Sequence, residues 1–119
     1  MNKMRPVFVA LHVQDIEKSA HFYRDIVGIP LHRNNEHSHY EFSWDNPYFH
    51  FALFQVKEEQ ETTHSDIGFS VENLDALNDR MVSQGIRVID PPKKQPWGDS
   101  AVYLDPDGNT VSFTVMSED

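Results

Sequence analysis

Apolar residues alternate with others along Val7-Phe8-Val9-Ala10-Leu11-His12-Val13, the period of a strand. Val7, Val9, Leu11 and Val13 fall on one face; Phe8, Ala10 and His12 fall on the other. At Asp15 the period changes. Ile16, Ala20, Tyr23, Ile26 and Val27 recur at spacings of three and four, the stripe of an amphipathic helix. Asp15 is placed to cap it and Gly28 to end it. Ile29-Pro30-Leu31 then opens another strand. Two further strands follow, Tyr40 to Asp45 and Phe49 to Phe54, with a turn at Asn46-Pro47 between them.

The same order returns further along. Asp66 to Val71 is a strand with Ile67, Phe69 and Val71 on one face. Asn73 caps a helix with the stripe Leu74, Leu77 and Met81, Gly85 stops it, and Ile86-Arg87-Val88-Ile89 begins a strand. Ser100 to Asp105 and Thr110 to Val115 flank the turn Pro106-Asp107-Gly108-Asn109. The first strands match at an offset of 58 residues and the final hairpins at 60. Such self-similarity predicts an α+β chain of two βαβββ modules. We place them at 7–57 and 65–116, joined by a polar linker at 58–64, within a single domain over 1–119.

Composition narrows the chemistry. There is no cysteine, which excludes disulfide scaffolds, thiol catalysis and cysteine-held zinc or iron–sulfur clusters. The formal charge of −9 disfavours nucleic acid and anionic membrane, and favours cationic or neutral partners. No apolar run approaches the roughly 20 residues of a membrane helix. The opening residues carry no small-residue cleavage site after Val13, so the expectation is a cytoplasmic protein without a signal peptide.

The tandem βαβββ order carries a family resemblance. So do Val13-Gln14-Asp15 leading into a helix with Phe22-Tyr23, Pro96-Trp97-Gly98, and Asp105-Pro106-Asp107-Gly108-Asn109. Together they resemble the vicinal oxygen chelate superfamily, the group of glyoxalases, bleomycin-resistance proteins and extradiol dioxygenases. The resemblance spans essentially the whole chain. It implies a curled mixed sheet around a concave pocket, and homodimers in which open sheet edges pair. It also implies a divalent metal held at two matched positions in each module. Carried onto this chain, those positions are Phe8, Ala52, Asp66 and Ser112. Phe8 and Ala52 offer no donor, Ser112 is a weak neutral one, and only Asp66 suits a metal that prefers carboxylate and imidazole. The expectation is therefore no cofactor and no metal at the usual site.

Other residues keep chemistry open. His12 and His50 lie on the pocket side of their strands and, with Asp66, could form a relocated divalent-metal site of two imidazoles and a carboxylate. His32, His37 and His39 cluster near a strand start and read as a solvated polar edge; His21 and His64 read as exposed and linker positions. Phe8 and Phe54, with Trp97 and Tyr103 from the second module, are candidates for an aromatic lining. Phe51, Leu53 and Phe113 read as core on the helix side. Pro91 to Pro96 predicts a semi-rigid loop.

The predicted ligand-binding set is thus Phe8, His12, His50, Ala52, Phe54, Asp66, Trp97, Tyr103 and Ser112. The first reading is a homodimeric small-molecule-binding protein for a cationic or aromatic ligand. The alternative is a metal-dependent glyoxalase-like lyase or dioxygenase using His12, His50 and Asp66. A third is an interaction module with a filled pocket and an exposed apolar patch.

Overall fold

The computed structural model describes residues 6–34, 39–56 and 64–115. The chain divides into two compact units, residues 1–62 and 63–119.

In the first unit, β1 (Phe8–Val13) leads into α1 (Ile16–Ala20), which widens without a break into a π-helical segment over His21–Val27. Then follow β2 (His32–Asn34), β3 (His39–Trp44) and β4 (Phe49–Gln55). The sheet order is β1-β4-β3-β2, with β1 parallel to β4 and the other pairs antiparallel. Asp15 caps α1 by accepting from the Lys18 backbone N–H at 3.2 Å. Gly28 closes the π segment at φ 103°, in the left-handed region that a Cβ disfavours, and its N–H reaches back to the Tyr23 carbonyl. Gln55, at the end of β4, braces the helix start. Its Oε1 accepts from Ile16 N at 2.9 Å and its Nε2 donates to the Gln14 carbonyl at 2.6 Å.

Of the predicted stripe, Ile16, Ala20, Tyr23 and Ile26 are buried and Val27 is only half-buried, while Phe22 beside it is also buried. The buried residues pack against Leu11, Val13, Phe51 and Leu53 of the sheet, with Tyr23 edge-on to Phe51 at 5.2 Å. The register of β3 settles which of its faces meets the helix. Tyr40 pairs with Leu53 and Phe42 with Phe51, so Tyr40, Phe42 and Trp44 share the helix-facing side.

In the second unit, β5 (Asp66–Ser70), α2 (Leu74–Ser83), β6 (Val88–Gln95), β7 (Gly98–Leu104) and β8 (Thr110–Thr114) form a sheet of order β5-β8-β7-β6, with β5 parallel to β8. Leu74, Leu77 and Met81 of α2 are buried, as are Ala101, Tyr103, Val111 and Phe113 of the sheet. The DPDGN turn is an internal hydrogen-bond clamp. Asp105 Oδ1 accepts from the N–H groups of Asp107 and Asn109 at 2.9 and 2.8 Å, and Oδ2 accepts from the Asn109 side chain. Asn109 Oδ1 in turn accepts from Ser65 N at 2.7 Å, tying the hairpin to the entrance of β5.

Several expectations are corrected. Ile29 to Leu31 and Ile86-Arg87 precede their strands, and the first helix is α-helical only over its first turn. Pro91 to Pro96 is not a loop: Pro91 and Pro92 lie inside β6, which pairs on one side only. Register shifts between Val88 and Lys93 carry the prolines past the ladder positions where a missing N–H would matter. The linker from 58 to 63, and His37, lie outside the described residues.

Candidate functional site

The helix-free face of the first unit's sheet is organised in three rows, fixed by the strand registers. The first row is Phe8, His50 and Ser43; the second is Ala10, Ala52, Glu41 and His32; the third pairs His12 with Phe54. His39 completes the third row, two residues before Glu41 on the same face.

The outer rows are built from stacked rings. Phe8 lies over the His50 imidazole at 5.5 Å between centroids, tilted by only 13°. Phe54 lies between two imidazoles, His12 at 5.6 Å and His39 at 4.5 Å, both tilted by 21°. Phe8 is 55% exposed, so this face presents apolar ring surface to whatever approaches.

The middle row holds the charge. Glu41 Oε1 accepts from His39 Nε2 at 3.0 Å and lies 3.4 Å from His50 Nε2. Oε2 accepts from the Asn34 side chain at 3.0 Å and lies 3.6 Å from His32 Nε2. The hydrogen bonds from His39 and Asn34 hold the Glu41 carboxyl below the usual glutamate range, against the opposing effect of burial. Ser43 Oγ lies 2.6 Å from His50 Nδ1, so both nitrogens of that ring are engaged.

Five sequence-predicted residues therefore meet on one face: Phe8, His12, His50, Ala52 and Phe54. Ala52, however, is completely buried and presents no surface. Asp66 and Ser112 lie in the second unit. The Asp66 carboxylate accepts from the Thr110 hydroxyl, and Ser112 pairs with Gly68. Trp97 is exposed at the turn between β6 and β7. Tyr103 does not join any lining. It is fully buried under α2, where its hydroxyl donates to Asn78 Oδ1 at 2.7 Å, and burial raises its pKa. His39 is no solvated edge either; it is buried between Phe54 and Glu41.

Glu41 and Ser43 are the residues that sequence reasoning passed over. The signal was the alternation His39, Glu41, Ser43 along β3, which puts three polar side chains on one face. Only the register against β4 shows that this face is the one carrying His50.

The metal positions implied by the family resemblance do not fit a metal. Phe8 and Ala52 supply no donor, Ser112 is neutral, and Asp66 is hydrogen-bonded to a neighbouring hydroxyl. Among the described residues no group of three histidine or acidic side chains is disposed to hold a metal ion. The imidazoles around Glu41 converge on the carboxylate oxygens themselves, not on a shared point between donors.

A separate cleft of about 380 Å³ opens at the start of α2. Glu72, Asp75, Lys93, Lys94 and Asp99 line it, with Val115 just past the end of β8, and it contains none of the predicted residues.

Comparisons with known proteins agree with this architecture. The sequence model of the Glyoxalase/Bleomycin resistance protein/Dioxygenase superfamily matches residues 5–113. The chain is 26% identical over 113 residues to the glutathione transferase FosA of Serratia marcescens, covering 92% of this chain and 79% of that protein. TnmS3, an antibiotic binding protein from Streptomyces sp. CB03234, superposes with a TM-score of 0.77 at 25% identity, covering 98% of this chain and 99% of that one. A superfamily member from Sphaerobacter thermophilus DSM 20745 superposes with a TM-score of 0.74 at 19% identity, covering 94% and 97%.

Proposed function

Because the chain belongs to the Glyoxalase/Bleomycin resistance protein/Dioxygenase superfamily, we propose that it is a small-molecule-binding protein of that fold which works without the usual metal site. The observation that carries this reading is the helix-free face of the first sheet: exposed and half-buried rings flanking a single buffered carboxylate. Such a surface suits a planar or aromatic ligand, and Glu41 with the net charge of −9 favours a cationic one. The likeness to an antibiotic binding protein supports small-molecule binding. The protein acts in this reading as a cytoplasmic homodimer, the partner covering an open sheet edge.

The relocated metal set of His12, His50 and Asp66 draws no support from the geometry. The His12 ring stacks on Phe54, both His50 nitrogens are engaged, and Asp66 is taken by Thr110.

The test pairs elemental analysis with thermal shift. Protein purified without chelators is expected to hold no stoichiometric nickel, zinc, manganese or iron. A panel of planar cationic compounds is expected to contain members that raise the melting temperature. A ligand at 100 times its dissociation constant adds about 2.7 kcal/mol. One tightly held metal per chain, or a panel with no stabilising member, would overturn the reading.

A further inference from the structure

Ser43, His50 and Glu41 form a chain of polar groups across β3 and β4, and its Ser43–His50 link is one that the ligand-binding reading does not require. Ser43 stands directly opposite His50 in the antiparallel ladder, and Glu41 is two residues along β3 on the same face. The carboxylate is ionised and can only accept. The proton of the His50 ring that faces it therefore sits on Nε2, 3.4 Å from Glu41 Oε1. That leaves the lone pair on Nδ1. With the ring neutral, Ser43, 2.6 Å away, is the donor there. In the neutral ring this proton arrangement satisfies all three groups, and it is that of a hydroxyl poised to lose its proton to an oriented base. The carboxylate is itself held in place by His39 and Asn34, and the imidazole plane by the Phe8 ring stacked on it.

We propose that Ser43 is a nucleophilic hydroxyl, with His50 as its base and Glu41 orienting that base, and that it accepts the acyl group of a small activated aryl ester. The two imidazole nitrogens exchange the roles they hold in most serine hydrolases, which changes nothing in the proton count. In acylation a bond forms between Ser43 Oγ and the ester carbonyl carbon, and the bond from that carbon to the aryl oxygen breaks. The serine proton passes to His50 Nδ1 and then to the departing phenolate. Water, deprotonated in turn by His50, then attacks the acyl carbon, releasing a carboxylic acid and restoring the hydroxyl. An aryl ester fits because a phenolate leaves with little help, and because the exposed Phe8 ring beside His50 offers a stacking surface for the aryl group.

The experiment incubates the full chain with p-nitrophenyl acetate, following nitrophenolate by absorbance and the protein by intact-mass and peptide mass spectrometry. The expected result is one acetyl group per chain, mapped to Ser43. Ser43→Ala should lose that adduct and release nitrophenolate no faster than buffer. Glu41→Gln should slow acylation about tenfold or more, while the control Ser70→Ala, in the other unit, should react like the parent. Circular dichroism of each variant separates lost folding from lost chemistry, and the mapping on the unaltered chain needs no variant. Acetyl groups found only on lysine or histidine, no reaction above buffer, or a folded Ser43→Ala chain reacting at the parental rate would each overturn the proposal. Ligand stabilisation can succeed or fail independently of this result.

Discussion

His39 and Glu41 stand two residues apart on β3, and the buried imidazole of the first donates to the carboxylate of the second at 3.0 Å. Because that contact and the Asn34 hydrogen bond lower the Glu41 pKa in the folded chain, the stabilisation belongs to the ionised form. It is present above the ordinary glutamate value of 4.5 and is lost as pH falls through the lower, folded value. Glu41→Gln should therefore cost about 1–2 kcal/mol at pH 7, and the gap to the parent should narrow as pH falls below the ordinary glutamate range. Urea unfolding at pH 7 and at a pH below that range reads this directly; a gap that is equal at both would refute it.

Phe8 should separate binding from stability. Being 55% exposed, it contributes little to the fold. Phe8→Ala should leave the melting temperature within a degree or two, yet weaken a stacking ligand about tenfold, the equivalent of a stacked ring contact. Isothermal titration with any ligand found by thermal shift supplies the number.

Tyr103 should behave in the opposite way. Tyr103→Phe removes only the hydroxyl that bonds Asn78, costing about 1 kcal/mol. Tyr103→Ala opens a cavity under α2 and should cost about 3–5 kcal/mol. Neither should change affinity for a ligand on the first sheet. An affinity loss in the Phe variant would restore Tyr103 to the binding surface.

Asp105 holds the DPDGN turn through two backbone N–H groups and one side-chain amide. Asp105→Ala leaves buried donors without that acceptor and should destabilise the chain by about 2–3 kcal/mol. Amide hydrogen exchange should rise first at Asp107, Asn109 and Ser65, the groups this clamp fixes. Unchanged exchange there would show that the motif is not structural.

Much of the architecture could be read from the chain alone because it rests on local periodicity. The two-residue alternation of β1 placed Leu11 and Val13 in the core and Phe8 and His12 opposite, and the three-four stripe placed Tyr23 and Ile26 correctly. The cross-strand contacts could not be read this way. Whether Tyr40 or Glu41 faces the helix depends on one step of register against β4, and a step reverses every side chain. His39 was therefore assigned to solvent when it is buried, and Glu41, the centre of the polar network, was passed over. Tyr103 misled for a related reason: a phenol suits a pocket or a core, and only its Asn78 partner on α2 distinguishes them. The prolines of β6 argue against a strand unless it is known to be an edge.

Gln55 shows how far the two copies have parted. By register, its counterpart one module later is Val115: Val13 faces Gln55 as the first parallel pair ends, and the N–H of Val71 bonds the carbonyl of Thr114 just before Val115. An amide in one copy plugs the mouth of its helix; an isopropyl group in the other cannot, and there the charged cleft opens. The halves are therefore not interchangeable parts, so a chain built from two copies of either module would be a different protein and not a tidier version of this one.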